Sequence, residues 1–410
     1  MRYLDRIRRN ITRLNEDDWP ALEAFQEEMK KVEPDFIPFD RRYHEWIQKK
    51  NPHSRKGKPQ FWIYRNKEGN IQGQQVGIPF SLIVRGKPYR ASWAVNLMVE
   101  ASLRKRGIGN VLSSVLQEEN DVSLGIGISD DAYRSYRRAG WIDLGLMQVF
   151  VRPIDVQKML PFLGLSRDSL LHRIGAVGCN LFLRLWDPCI SWLFLRAGNI
   201  SVEQIDRFDP RIDRVWEDSR KYYPVLAKRD YQSLKWRFDD TIGSDRYRRF
   251  YLWQRGRLVG YFVLRKGIRD GVEVMNIVDF LCPPSLVTSL MAGALSIARQ
   301  ERVAVLYCRI AMSAAGRRLY PVGFCRRPSF TRIMAIPNPD SDLKMESLSD
   351  PSTWFITLSD SDGDYFEESE PSSLLGKNRE TGEETGPNQT ASANDDGLSV
   401  LGTERLIAKK

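Results

Sequence analysis

The sequence predicts an α/β protein, built as two tandem α/β layers with a helical linker between them and an acidic tail after them. Three observations predict it. Strand and helix patterns alternate over the first 150 residues. The second half repeats the first at a fixed offset. Charge also divides the chain: from Asn338 to Lys410 there are 16 acids and 6 bases, which leaves 36 acids and 56 bases, net +20, in the body up to Pro337. At 410 residues and 42% hydrophobic content there is chain enough for two or three domains, and collagen-like and fully disordered classes are excluded.

Taken in order, Asn10 to Leu14 has the pattern of a short strand. Asp17 and Pro20 supply a cap and an early proline for a helix through about Val32. Gln60 to Arg65 and Gln75 to Val84 are expected strands joined by the Gly- and Asn-containing turn Asn66 to Asn70. Ala91 to Val99 follows as a third. A helix is expected from Gly107 to about Glu119, a strand from Val122 to Ile128, a helix from Asp130 to Arg138 closed by Gly140, and a last strand from Leu144 to Val151.

The repeat is direct. Val95 to Trp141 laid on Val278 to Phe324, offset 183 and without gaps, gives 11 identities in 47 positions, among them Ser102/Ser285, Leu112/Leu295, Gln117/Gln300, Val122/Val305, Ala132/Ala315 and Gly140/Gly323. We therefore expect divisions at 1–155, 156–200, 201–337 and 338–410, with an internal duplication across the first and third.

The linker contains the apolar run Ile174 to Leu195, in which Arg184 and Asp187 are the only charges. Asp187 and Pro188 suggest the cap and first residue of a second short helix, Cys189 to Arg196. The run packs on both domains, or it contacts a membrane surface, since Arg167, Arg173, Arg184 and Arg196 flank Trp186, Trp192 and Phe194. From about Ser369 the composition is that of a disordered segment. Trp354 to Leu358 suits one more strand or an anchor, and Asp360 to Asp364 a solvated acidic turn without the spacing of a calcium loop. Five cysteines without a C-x-x-C pair and a charged N-terminus without an apolar h-region suggest a reducing compartment and a cytoplasmic protein, with or without peripheral membrane contact.

The sharpest local feature is Arg104-Lys105-Arg106-Gly107-Ile108-Gly109, which follows a strand and opens a helix. Glycines there let backbone approach a ligand, and the free N–H groups of a helix start attract anions. Three bases beside them suit a pyrophosphate. One strand later comes Ala132-x-x-x-Tyr136-x-x-x-Gly140-Trp141. Together these resemble motifs A and B of the GNAT family of acyl-CoA-dependent N-acyltransferases, over residues 10 to 150 and, through the repeat, 201 to 336.

The resemblance implies GNAT-like mixed-sheet α/β sandwiches in which the fourth and fifth strands splay around acetyl-CoA or another acyl-CoA. The cofactor-binding residues it implies are Leu97, Met98 and Val99 at the strand end, then Arg104, Lys105, Arg106, Gly107, Ile108, Gly109 and Asn110. Tyr136 matches the tyrosine that protonates the departing thiolate; its other reading is an aromatic packed beneath the cofactor. The pattern departs from the family at Ala101 and Ser129, and the acidic residue some members carry near the start of the fourth strand falls at Trp93. Glu100 is the nearest carboxylate for the base, and His44 and His53 are expected surface histidines. In the repeat Arg104, Gly107, Gly109 and Tyr136 become Val287, Leu290, Ala292 and Leu319, so one cofactor site is expected, with Asp279 facing the acceptor cleft or paired to an arginine.

The function implied is N-acyl transfer, acetyl transfer foremost, to an amine acceptor such as a small molecule, sugar or glycan precursor. An aminoacyl-tRNA-dependent transferase and a non-catalytic acyl-CoA-sensing or nucleic-acid-binding protein are the alternatives. The absence of helix-turn-helix, zinc and RNP-like motifs argues against nucleic acid as partner.

Overall fold

The computed structural model describes residues 2–364 apart from 35, 164, 167, 168, 270 and 312. The expected tail beyond Ser369, and Arg167, lie outside the described residues. Sixteen strands are described: β1 (Ile11–Arg13), β2 (Phe61–Arg65), β3 (Ile71–Val84), β4 (Lys87–Val99), β5 (Val122–Ile126), β6 (Ile142–Leu146), β7 (Gln148–Pro153), β8 (Ile200–Ile205), β9 (Val225–Ala227), β10 (Tyr247–Gln254), β11 (Arg257–Arg269), β12 (Val272–Leu281), β13 (Val305–Ile310), β14 (Cys325–Arg327), β15 (Arg332–Pro337) and β16 (Trp354–Phe355). They form two mixed sheets.

The first sheet has the order β1-β2-β3-β4-β5-β15-β6, with β9 on β3 and β16 on β9. The second runs β14-β7-β13-β12-β11-β10-β8. The halves therefore exchange strands: the first sheet takes β15, which lies between β5 and β6, together with β9 and β16, and the second takes β7, between β13 and β14. The expected strand Leu144 to Val151 is in fact two. Gly145, at φ +83, lies within β6, and the chain then crosses to the other sheet at Met147, so β6 and β7 belong to different sheets.

The duplication is visible in the pairing. β4 and β5 are parallel with Ala91 opposite Val122, and β12 and β13 are parallel with Val274 opposite Val305, both partners moved by 183. Each sheet carries an apolar core. Trp19, Phe61, Phe80 and Trp93 fill the first, and Phe250, Tyr261, Phe262 and Met291 the second. Burying such a side chain is worth roughly 1.5–3 kcal/mol.

In the linker one helix, Leu170–Ser191, runs through Pro188 and continues as a wide π turn, Trp192–Arg196. Asp187 is not a cap. It is buried and paired with Arg152 of β7 and, at 3.2 Å, with Arg299. With Asp187 so anchored, the helix continues across a proline that ordinarily ends one.

Residues 338–364 are packed against the body. Trp354 and Phe355 pair with Val225 and Leu226, and Trp354 is buried, its indole donating to the Leu348 carbonyl at 2.8 Å. The acidic turn is no solvated loop: Asp360 pairs with Arg229 at 2.6 Å, Asp364 with Arg237, and the Tyr247 hydroxyl donates to Asp364 at 2.8 Å.

Candidate active site

Strands β4 and β5 pair only as far as Trp93 opposite Leu124, and beyond that point they part. The divergence begins at a bulge in β4. Val95 and Met98 pair with Val76 and Gln74 of β3, so Asn96 and Leu97 together face Gln75, and Asn96 takes φ +48, a left-handed conformation that asparagine tolerates. Two glutamines lock it. The buried Gln75 amide donates to the Val95 and Val76 carbonyls, both at 3.0 Å, and Gln74 donates to the Asn96 carbonyl at 3.4 Å while accepting from Gln26 at 3.1 Å.

The gap between the strands is a cleft of about 650 Å³, bounded by Asn96, Leu97 and Met98 on one side and Gly125, Ile126 and Gly127 on the other. That is the size of a small-molecule site. Past the β4 end, a 3-10 turn over Ala101–Leu103 leads to Lys105 at φ +64 and Gly107 at φ +83, the cap of the helix Ile108–Glu118. Lys105 and Arg106 are exposed. Arg104 is held by Glu33 and donates to the Val99 carbonyl at 3.1 Å, and Asn110 accepts from the Ser135 hydroxyl at 2.7 Å. A Cβ at Gly109 would stand 3.8 Å from Leu97, so the fold itself has room there.

Tyr136 lines the cleft from the helix Asp130–Arg138, whose N-terminus is capped by the Ser129 side chain. Its ring is buried and stacked on Trp141 with centroids 4.3 Å apart. Burial pushes the phenol above its ordinary pKa, partly offset by a hydrogen bond with Ser113, so it is protonated near neutral pH.

One carboxyl reaches the cleft from the far end of the chain. Asp362 lines it together with Tyr136 and accepts a 3.0 Å hydrogen bond from the Tyr43 hydroxyl. Enclosure by protein on its inner side raises its pKa, with Tyr43 and Arg237 opposing and Asp364 adding to the rise. The strap bearing it is fixed by the helical turn Lys235–Asp239: Arg237 donates to the Ser359 carbonyl at 2.9 Å and the Ser361 carbonyl at 3.1 Å. Sequence reasoning missed Asp362 because it sits more than 200 residues from the motifs.

Glu100 stands at the β4 end, accepting from Gln72 at 2.7 Å and Ser102 at 2.6 Å, and is not among the residues that line the cleft. His44 is buried and His53 half-buried, not surface residues, and desolvation lowers both to about 4. Asp279 is buried and paired. It accepts from Arg229 at 3.2 Å, Tyr261 at 2.7 Å and Thr357 at 2.8 Å. Thr357 also bridges Ile310 of β13, so the strap closes the second lobe's own gap between β12 and β13.

No family model matches the sequence, and no curated protein matches it. Solved structures do. N-myristoyltransferase of Saccharomyces cerevisiae with bound myristoyl-CoA is similar at 12% identity and a TM-score of 0.51, over 85% of this chain and 89% of that one. A GCN5-related N-acetyltransferase from Anabaena variabilis is similar at 12% identity and 0.52, over 79% and 71%. A probable N-acyltransferase from Enterococcus faecalis V583 is similar at 12% identity and 0.51, over 80% and 71%. Across both halves, the chain has the fold shared by the GNAT-related and N-myristoyl transferases.

Proposed function

We propose that the protein is an acyl-CoA-dependent N-acyltransferase with one donor site, in the cleft between β4 and β5. The observation that carries this reading is the splay of a parallel strand pair onto a glycine-opened helix start. Backbone groups that β4 no longer shares with β5 are left for an amide-bearing pantetheine arm, and the N–H groups after Gly107, with Lys105 and Arg106 beside them, suit the pyrophosphate. The comparisons favour acyl-CoA transfer over the aminoacyl-tRNA-dependent and non-catalytic readings.

In this proposal an acceptor ammonium first gives a proton to the Asp362 carboxylate, whose place in the cleft and raised pKa suit it to that role, while Glu100 stands outside the cleft. The amine nitrogen attacks the thioester carbonyl carbon, the C–N bond forms, and the C–S bond breaks. Tyr136 donates its proton to the leaving thiolate, and the second proton shed by the nitrogen as it becomes an amide passes through solvent to restore the phenol. Acetyl-CoA is the first donor to try. The body's net charge of +20 supports an acceptor that carries phosphate, such as a glycan precursor.

Calorimetry with CoA and with acyl-CoAs of graded length tests the reading, followed by thiol release with a panel of amines. One CoA per chain is expected, since Val287, Leu290 and Ala292 replace the cradle in the second lobe and the strap closes its gap. Absence of binding at millimolar CoA sinks the proposal, and a stoichiometry of two sinks the single site.

A further inference from the structure

We propose that the outward face of the linker helix Leu170–Ser191 is a docking surface for an anionic lipid bilayer. This goes beyond the transfer reaction and does not rest on it. The helix is amphipathic the wrong way round for a soluble body. At about 100° per residue, Ala176, Asn180, Leu183, Asp187 and Ile190 fall on one stripe, and this stripe faces the protein. Two of those five are polar and act as fasteners: Asn180 accepts from the Val156 amide at 2.8 Å and donates to Asp155 at 2.9 Å, and Asp187 pairs with Arg152 and Arg299.

The opposite side holds the large apolar residues. Leu170 and Leu185 are each 68% exposed, Leu171 81%, Ile174 61%, Leu181 58% and Phe182 60%. Trp186 and Trp192 extend the row at 50% and 61%, and Phe182 stacks on Trp186 with centroids 6.0 Å apart. Monomeric soluble proteins rarely expose so continuous an apolar surface without a partner for it.

Charge selects the occupant. Arg173 and Arg184 lie at one margin of the apolar face and are exposed, and Arg196 follows in the π turn. Neither Arg173 nor Arg184 has an acidic partner among the described residues, and the one acid of the helix, Asp187, is buried in its ion pair. Apolar side chains and tryptophans between unpaired arginines match the boundary between acyl chains and anionic headgroups. A second copy of the chain would bring the same unpaired positive charges to the contact. Among the described residues no helix is long and apolar enough to cross a membrane. At about 1.5 Å per residue the helix would lie some ~33 Å along the interface.

The test uses the full chain and vesicles of phosphatidylcholine with or without phosphatidylglycerol at low salt. Co-sedimentation is expected with the anionic vesicles, along with quenching of tryptophan emission by brominated lipids. Arg173→Gln with Arg184→Gln should weaken partitioning about 30-fold, at about fivefold for each charge removed near the surface. Leu181→Asp with Leu185→Asp should abolish it, with the melting temperature retained because both side chains face solvent. Wild-type protein that stays in the supernatant overturns the proposal. So does equal binding by the arginine double variant, or a dimer in sedimentation velocity that Leu181→Asp with Leu185→Asp dissolves while no vesicle binding is seen.

Discussion

The Tyr136 phenol and the Asp362 carboxyl line one cleft from opposite ends of the chain, which makes their roles separable. Tyr136→Phe keeps the stack on Trp141 and removes the proton. Turnover should fall about 10²–10⁴-fold with CoA affinity unchanged in calorimetry, the range expected for a lost general acid; parallel loss of affinity would mark a packing element. In the wild type, kcat/KM should decline as pH falls through the raised pKa of Asp362, because only the ionised carboxylate accepts a proton. That acid limb should be missing from the residual activity of Asp362→Asn, and its survival would point to another base. The two histidines make a third case. Held neutral at about 4 in the fold against 6.5 when free, His44 and His53 bind more protons on unfolding between those values, so stability should drop as pH falls through that window, by at most about 1.4 kcal/mol per pH unit for each. Urea midpoints at pH 7 and 5 measure it, and a flat profile in the His44→Gln, His53→Gln variant would confirm the source. Tyr136 and the glycine loop were legible because a spacing in one stretch of sequence carries them. Asp362 was not, since its place depends on Arg229 and Arg237 pulling a distant strap under the cleft.

Elements were legible where periodicity and caps agree, as in the helices Trp19–Val32 and Ile108–Glu118, and illegible where a tertiary partner decides. Pro188 looked like a helix boundary, but with Asp187 anchored by Arg152 and Arg299 the helix continues through it. Residues 144–151 looked like one strand because the run is apolar on both sides of the crossing, with Gly145 and Gln148 its only breaks. The β4 bulge was also hidden, although the buried pair Gln74-Gln75 in β3 was its sequence signal. Gln75→Leu should leave the Val95 carbonyl unpaired, costing about 1–3 kcal/mol in denaturant unfolding, and should weaken CoA binding by letting β4 straighten. Normal CoA affinity in a destabilised Gln75→Leu protein would separate the bulge from the site.

At the scale of the molecule, the duplication forecast two copies of one architecture, and the matching Ala91/Val122 and Val274/Val305 registers carry it into three dimensions. What no pattern announced was the exchange of β7 and β15. A strand's sheet membership is set by which edge it meets, and both edges offer equivalent partners after duplication. The exchange predicts that neither half folds alone: a 1–155 fragment lacks β15, which leaves one edge of β5 open and β6 without a partner, and 201–364 lacks β7. Each fragment should give poorly dispersed amide NMR spectra, and mixing the two with residues 156–200 restored should recover a cooperative melt. A folded 1–155 fragment would contradict this.

The same exchange sets a schedule for biosynthesis. β5 and β6 emerge from the ribosome well before the strand that belongs between them, which is encoded some 186 residues later. At about 5–20 residues per second the nascent chain waits roughly 10–40 s with two open strand edges. The half that emerges first is the last to be completed, and during that interval its protection falls to whatever attends the emerging chain.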